Sequence, residues 1–167
     1  MNTSIHYKIN NTECTKIAGF DLDFTIIKPK NFRRFPKDKN DWIFLNDMVK
    51  SKLKDLHLKG YRIVIFTNQG GISKGKTKLE DIIYKLDDII NKLDIPVDYI
   101  ISYGYDKNRK PDIGMWNIYK KISKKRIFRK KSFYCGDAAG RKKDFSNSDK
   151  MFAENIGIKF YLPEDIF

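Results

Sequence analysis

The 167-residue sequence has no run of 18 apolar residues, so nothing in it reads as a membrane-spanning helix. Its opening, MNTSIHYKINNTECTK, lacks the apolar stretch of a secretory leader. Only two cysteines occur, Cys14 and Cys135, which offer neither a disulfide framework nor zinc-ligand spacing. The histidines, His6 and His57, are isolated and suggest no metal pair. These absences point to an intracellular protein in a reducing compartment, with no membrane partner. Acidic residues are also scarce beside basic ones, 21 against 34, for a net charge of +13. An excess of that size attracts polyanions and gains affinity by releasing their counterions, which makes nucleic acid an expected partner. Lysine outnumbers arginine 27 to 7, however, and an A/T-rich coding sequence would by itself produce that bias.

No repeat, low-complexity tract or linker divides the chain, and its length suits one domain with a sizeable core. The expected organisation is an N-terminal extension over residues 1–15 and a single domain over 16–167, acting as a monomer. Lys16 to Asp23 reads as a buried strand ending in two acids. A basic loop, KPKNFRRFPKDKND, follows, then a helix over residues 45–58 that stops at Gly60. Tyr61 to Phe66 is a second strand. Leu79, Ile82, Ile83, Leu86, Ile89, Ile90 and Leu93 recur at helical spacing, which predicts an amphipathic helix over 78–93. Thr77-x-x-Glu80 before it has the form of a capping box. Further strands are expected at 97–103, 132–135 and 157–162, with helices at 115–124 and 149–155. Strand and helix alternate, so the fold class is α/β, a parallel sheet flanked by helices. Ligands of such sheets sit beyond the carboxyl ends of the strands, where Asp21-x-Asp23, Thr67-Asn68-Gln69, Ser102-Tyr103 and Gly136-Asp137 would converge.

One string competes for attention. GGISKGKT, from Gly70 to Thr77, satisfies G-x-x-x-x-G-K-S/T, the phosphate-cradling loop of nucleoside triphosphatases. That reading leaves Asp21, Asp23, Thr67 and Lys110 without a role, and Thr67-Asn68-Gln69 separates the strand from the first glycine. ATP is therefore not expected as a ligand. A basic loop at the rim of the site, with Lys74 and Lys76 meeting backbone phosphates, accounts for the same residues.

Two acids separated by one residue can serve as nucleophile and general acid/base, or can hold a cation. Asp137, at another strand end, adds a third carboxylate, and a few hard oxygen ligands suit Mg²⁺. FDLDFT, TNQ, RKP and GDAAG, in this order, resemble the four motifs of the haloacid dehalogenase superfamily of phosphatases. The longer strings FPKDKNDW, TNQGGISKGK, RKPDIGMW and GDAAGRKKDFSNSDKMFAENIG resemble the 3′-phosphatase domain of polynucleotide kinase/phosphatase enzymes, from about Ala18 to the C-terminus.

The resemblance implies a Rossmann-like sheet with a minimal cap or none, and a Mg²⁺-dependent phosphatase acting on DNA 3′ ends, RNA being possible. By it, Asp21 attacks phosphorus and forms an aspartyl-phosphate, while Asp23 protonates the leaving 3′-oxygen and later deprotonates water. Thr67 and Lys110 hold the phosphoryl oxygens. Asp137 binds Mg²⁺ with the Asp21 carboxylate and the Asp23 carbonyl, Thr25 and Asn68 support the site, and Asp144 orients Lys110 or a metal-bound water. The basic loop, through Arg33 and Arg34, guides the strand, with Phe32 or Phe35 available for stacking. The position between Asp23 and Thr25 is commonly glycine in that family. Here it is Phe24, which carries strain, packs beside the site against a base or sugar, or is simply buried. The alternative functions are a small-molecule phosphomonoesterase of the same superfamily and a nucleic-acid-binding module without turnover.

Overall fold

A computed structural model describes residues 4–10 and 12–167 of the chain. In chain order its elements are β1 (Ile5–Lys8), β2 (Lys16–Phe20), β3 (Ile27–Lys28), β4 (Ile43–Phe44), α1 (Met48–Leu58), β5 (Tyr61–Asn68), α2 (Leu79–Leu93), β6 (Val97–Ser102), α3 (Gly114–Ser123), β7 (Phe133–Cys135), α4 (Ser148–Ile156), β8 (Lys159–Tyr161) and α5 (Pro163–Ile166). Six strands form one sheet in the order β1-β6-β5-β2-β7-β8. The neighbours from β6 to β8 all pair in parallel, as expected from the alternation of strand and helix. The edge strand β1 differs. It lies within residues 1–15, expected as an extension, yet it pairs antiparallel with β6, Ile5 opposite Ser102 and Lys8 opposite Tyr99. Ile5–Lys8 therefore extends the sheet.

The strands place alternate side chains in two apolar layers, as their two-residue period requires. On β5, Ile63 and Ile65 enter one layer with Val49 and Leu53 of α1 and Ile82, Leu86, Ile89 and Leu93 of α2. Val64 and Phe66 enter the other, with Met115, Trp116 and Tyr119 of α3 and Phe152, Ala153 and Ile156 of α4. The Phe66 ring contacts Trp116, Tyr119, Tyr134 and Phe152, so one strand residue ties two helices to the sheet. Burying such a side chain is worth roughly 1.5–3 kcal/mol. Trp42 and Trp116 are core residues, as expected of anchors. Cys135 is buried, and burial followed by Asp149 pushes its thiol far up, which fits a packed rather than a reactive sulfur.

One expectation about the loop after β5 needs correction. Thr77 does not cap α2: the helix follows Lys78, and no side chain caps it. Nor does GGISKGKT form an outward-facing cradle. The N–H groups of Lys74, Gly75, Lys76 and Thr77 donate to the carbonyls of Gly70, Ile72, Gly71 and Gly71. Amides committed inside the loop are not aimed at a phosphate. Between Thr25 and Thr67 the chain holds only the β3–β4 ribbon, the exposed basic stretch of residues 30–38 and α1. Between Asn68 and Lys110 it holds α2 and β6. Among the described residues, no inserted cap domain covers the carboxyl ends of the strands.

Candidate active site

The turn after β2 is built by burying its aliphatic residues. Leu22, Ile26 and Ile27 are fully covered, and Ile26 N and Ile27 N both donate to Leu22 O. Phe24 N closes the turn by donating to Ile27 O at 2.7 Å. The polar residues left over face the strand ends. Asp21 is fixed by its own N–H, which donates to Cys135 O of β7 at 2.9 Å. Its neighbour across the site is Lys110, on the loop after β6.

Lys110 is almost fully buried, and its ammonium is 2.8 Å from Asp21 Oδ1, Asp149 Oδ1 and the Tyr134 hydroxyl. Burial pulls the ammonium down, but Asp149 and Asp21 outweigh it and hold it above its ordinary value. Asn68 holds the backbone of the same residue by two bonds. Its Nδ2 donates to Lys110 O at 3.1 Å, and Lys110 N donates to its Oδ1 at 3.0 Å. Gln69 Nε2 donates at 2.9 Å to both Asp23 Oδ2 and Thr67 Oγ1. A Thr67 hydroxyl that accepts from Gln69 keeps its own proton free to donate.

Asp21, Asp137 and Asp149 offer carboxylate oxygens that all lie within 4.8 Å of one another. Thr25 Oγ1 donates to Asp137 Oδ1 at 3.4 Å. Burial first, then Asp149, pushes the Asp137 carboxyl up to about 6. Burial and Asp149 likewise push Asp21 well up, against the pull of Lys110. Three carboxylates thus face a single ammonium. The Asp149 oxygens are committed to Lys110, Tyr134 and the Ala138 N–H, so within this group Asp21 and Asp137 are the side chains that could hold a hard cation.

Of the two roles expected of Asp144, orienting Lys110 or a metal-bound water, the first falls to another residue. Asp144 does not orient Lys110: it accepts from Ala139 N and Arg141 N, each at 3.0 Å, and pairs with the Arg141 guanidinium, so it braces the loop after Asp137. Asp149 holds Lys110 instead. Its approach requires Gly136, where a Cβ would lie 2.4 Å from the Asp149 carboxyl carbon. The sequence carried a signal for it, since Asp149 occupies the buried stripe of α4 with Phe152, Ala153 and Ile156. A carboxylate at an apolar position of a helix needs a buried partner. Tyr134 was also missed, and nothing in its spacing singled it out; Gln69 was placed at the strand ends but given no role.

The remaining expected contacts lie outside this bonded set. Lys74 and Lys76 are exposed on the loop after β5, with the Lys74 ammonium 5.1 Å from the centre of the Tyr105 ring. Arg33 and Arg34 are exposed in the basic stretch, beside Phe32 and Phe35, which are 104% and 72% exposed. Phe24 is 37% exposed with φ +59°, so simple burial does not describe it.

Residues 16–167 match the family described as polynucleotide kinase 3 phosphatase. The chain belongs to this family of phosphatases. A bifunctional polynucleotide phosphatase/kinase of Schizosaccharomyces pombe is 43% identical over 152 residues, covering 91% of this chain and 37% of that protein. A polynucleotide 3′-phosphatase of Saccharomyces cerevisiae is 33% identical over 207 residues, covering 90% of this chain and 87% of its own length. The present chain thus spans well under half of the first relative and most of the second. In fold it is similar to a D,D-heptose 1,7-bisphosphate phosphatase of B. bronchiseptica complexed with magnesium and phosphate, with a TM-score of 0.69, 21% identity and coverage of 88% of this chain and 79% of that one. The sheet and its flanking helices are those of haloacid dehalogenase-like phosphatases.

Proposed function

We propose that the protein is a Mg²⁺-dependent polynucleotide 3′-phosphatase that removes the 3′-phosphate from DNA ends, RNA ends being a second possible substrate, and leaves a 3′-hydroxyl. The observation that carries the reading is the set of Asp21 and Asp137 beside the buried Lys110 and Thr67, at the strand-end edge of a family member whose relatives bear that activity in their names.

Asp21 is the nucleophile. Its Oδ attacks phosphorus, the P–O3′ bond breaks, and Asp23 delivers a proton to the departing 3′-oxygen. Gln69 holds the Asp23 carboxyl in place for that transfer. In the second half, water attacks the aspartyl-phosphate, Asp23 takes its proton, and the bond from phosphorus to Asp21 breaks to release phosphate. Lys110, held from behind by Asp149 and Tyr134, has one N–H directed at the reacting carboxylate and available to a phosphoryl oxygen. The Thr67 hydroxyl donates a second bond. Such charge stabilisation supplies most of the catalysis in phosphoryl transfer.

Asp21, Asp137 and the Asp23 carbonyl would hold Mg²⁺. The carboxylate excess around Lys110 fits a divalent cation, which when bound neutralises the repulsion between the substrate dianion and Asp21. With no cap over the site, the end of a polymer has access, and the exposed Arg33, Arg34, Lys74 and Lys76 supply charge along its path.

The test is phosphate release from a 3′-phosphorylated DNA oligonucleotide, its 5′-phosphorylated twin and a small phosphomonoester, with Mg²⁺ or EDTA. Release from the 3′ end only, lost with EDTA and with Asp21→Asn, is the expected result. Turnover of the small ester alone would replace this reading with a small-molecule phosphatase. DNA binding without any release would leave a binding module.

A further inference from the structure

Phe24 directly follows Asp23, the acid of the proposed reaction, and the catalytic roles leave it unused. Its φ of +59° lies in the left-handed region, which a bulky side chain enters only at a cost in strain. The turn enforces that conformation, because Phe24 N must donate to Ile27 O while Leu22, Thr25, Ile26 and Ile27 are all buried. A phenylalanine repays such strain where its ring packs into the core. This ring does not: among the described residues it belongs to neither apolar layer, and it remains 37% exposed. The fold therefore gains little from an aromatic residue here.

Geometry suggests what does. Asp23 must reach the 3′-oxygen of the substrate, and adjacent Cα atoms are about 3.8 Å apart. The sugar bearing that oxygen, and the base attached to it, therefore arrive next to the residue that carries this exposed ring. An exposed ring is a surface on which any base can stack.

We infer that Phe24 is the platform for the 3′-terminal base of the strand, a specificity residue through which this site prefers a polynucleotide end; the inference rests on the 3′-phosphatase reading. Strain tolerated at Phe24 is then exchanged for a contact made only with substrate. Preference for a terminal base over no base is worth about tenfold in kcat/KM, the scale of one base-aromatic stack.

The experiment compares kcat/KM, with Mg²⁺, for two 3′-phosphorylated oligonucleotides that differ only in having a terminal base or a terminal abasic sugar. The ratio is taken within each variant, so damage to the reaction centre cancels. It is expected to be about ten in the wild type and in Phe24→Tyr, and about one in Phe24→Gly and Phe24→Asn, two residues that tolerate the left-handed backbone. Two replacements keep the test open should one fail to fold. A ratio near one in the wild type, or an unchanged ratio in Phe24→Gly or Phe24→Asn, overturns the platform. A wild type that hydrolyses glycerol 2-phosphate but neither oligonucleotide overturns the polynucleotide reading itself, a failure distinct from that of Phe24.

Discussion

Two buried ion pairs lie at opposite ends of the sheet, and they are built to different accounts of charge. At the amino ends of β5 and β6, Arg62 meets Asp98 with Nε 2.6 Å from Oδ2, both side chains almost fully covered. The Asp98 carboxylate also accepts from the Tyr119 hydroxyl, from Asn10 N and from Asn10 Nδ2, while Arg62 Nη2 donates to Asn10 O. One positive charge meets one negative charge, and four donors use the roughly four lone-pair sites of a carboxylate. At the carboxyl ends, Lys110 meets Asp21 and Asp149 with Asp137 close by, three carboxylates to one ammonium. The first cluster is closed. The second is left with an excess of negative charge, which under the proposed function a divalent cation would complete. Burial alone does not separate structure from function here; the charge balance does.

The difference can be broken from either side. Asp21→Asn should lower phosphate release by a factor on the order of 10⁴ or more, as loss of a covalent nucleophile does. Because it also removes charge from an overfull cluster, a thermal melt should show Tm unchanged or raised. A fall in Tm would mean that the Lys110 cluster is balanced after all. Arg62→Met should do the reverse. It strands a buried Asp98 and costs about 3–5 kcal/mol, a fall in Tm of roughly 6–20 °C for a chain of this size. At temperatures where that variant is folded, its kcat should match the wild type.

Smaller effects separate Asp149 from Asp144. Asp149→Asn keeps an oxygen near Lys110 but loses the charge, and kcat should drop about 10–100-fold, the usual cost of losing an outer-shell partner. Asp144→Asn, which touches Arg141 and the loop, should change kcat far less; a drop equal to that of Asp149→Asn would return Asp144 to the reaction centre.

The smallest expected effect is in pH. Asp137 rises from 3.8 to about 6 in the folded chain, and Asp21 moves the same way. The folded protein then retains protons that the unfolded chain has already released, so without metal its stability falls as pH rises between about 4 and 6. Mg²⁺ should therefore raise Tm more at pH 7.5 than at pH 5, measured by thermal melts with and without EDTA. An equal rise at both would mean that these carboxyls do not hold it.

Much of this was legible in the one-dimensional pattern. The apolar stripe of α2 and the strand runs of β2, β5, β6 and β7 follow from local spacing, and the expected elements are found with ends shifted by up to three residues. Asp21, Asp23, Thr67 and Asp137 were legible because each sits at or near a strand end in a parallel sheet, and such ends meet on one edge; Lys110, on the loop eight residues past β6, was legible only through the RKP string of the family resemblance. What escaped depended on contacts between distant residues. β1 was hidden because IHYK is short and gains its bonds only from β6. Asp149 was hidden because Asp144, five residues earlier on the same segment, offers the same carboxylate. Only the turn of α4 and the missing side chain of Gly136 decide which of the two meets Lys110, 39 residues away.

The sequence by itself determined the order of strands and helices, the residue types at the strand ends and the positive charge around them, because periodicity and composition act locally. The tertiary structure decided which acid holds the lysine, that the amides of Lys74 to Thr77 turn inward, and that Phe24 is strained and open. Each of those depends on where a donor, an acceptor or a backbone angle ends up in space, which no spacing along the chain encodes.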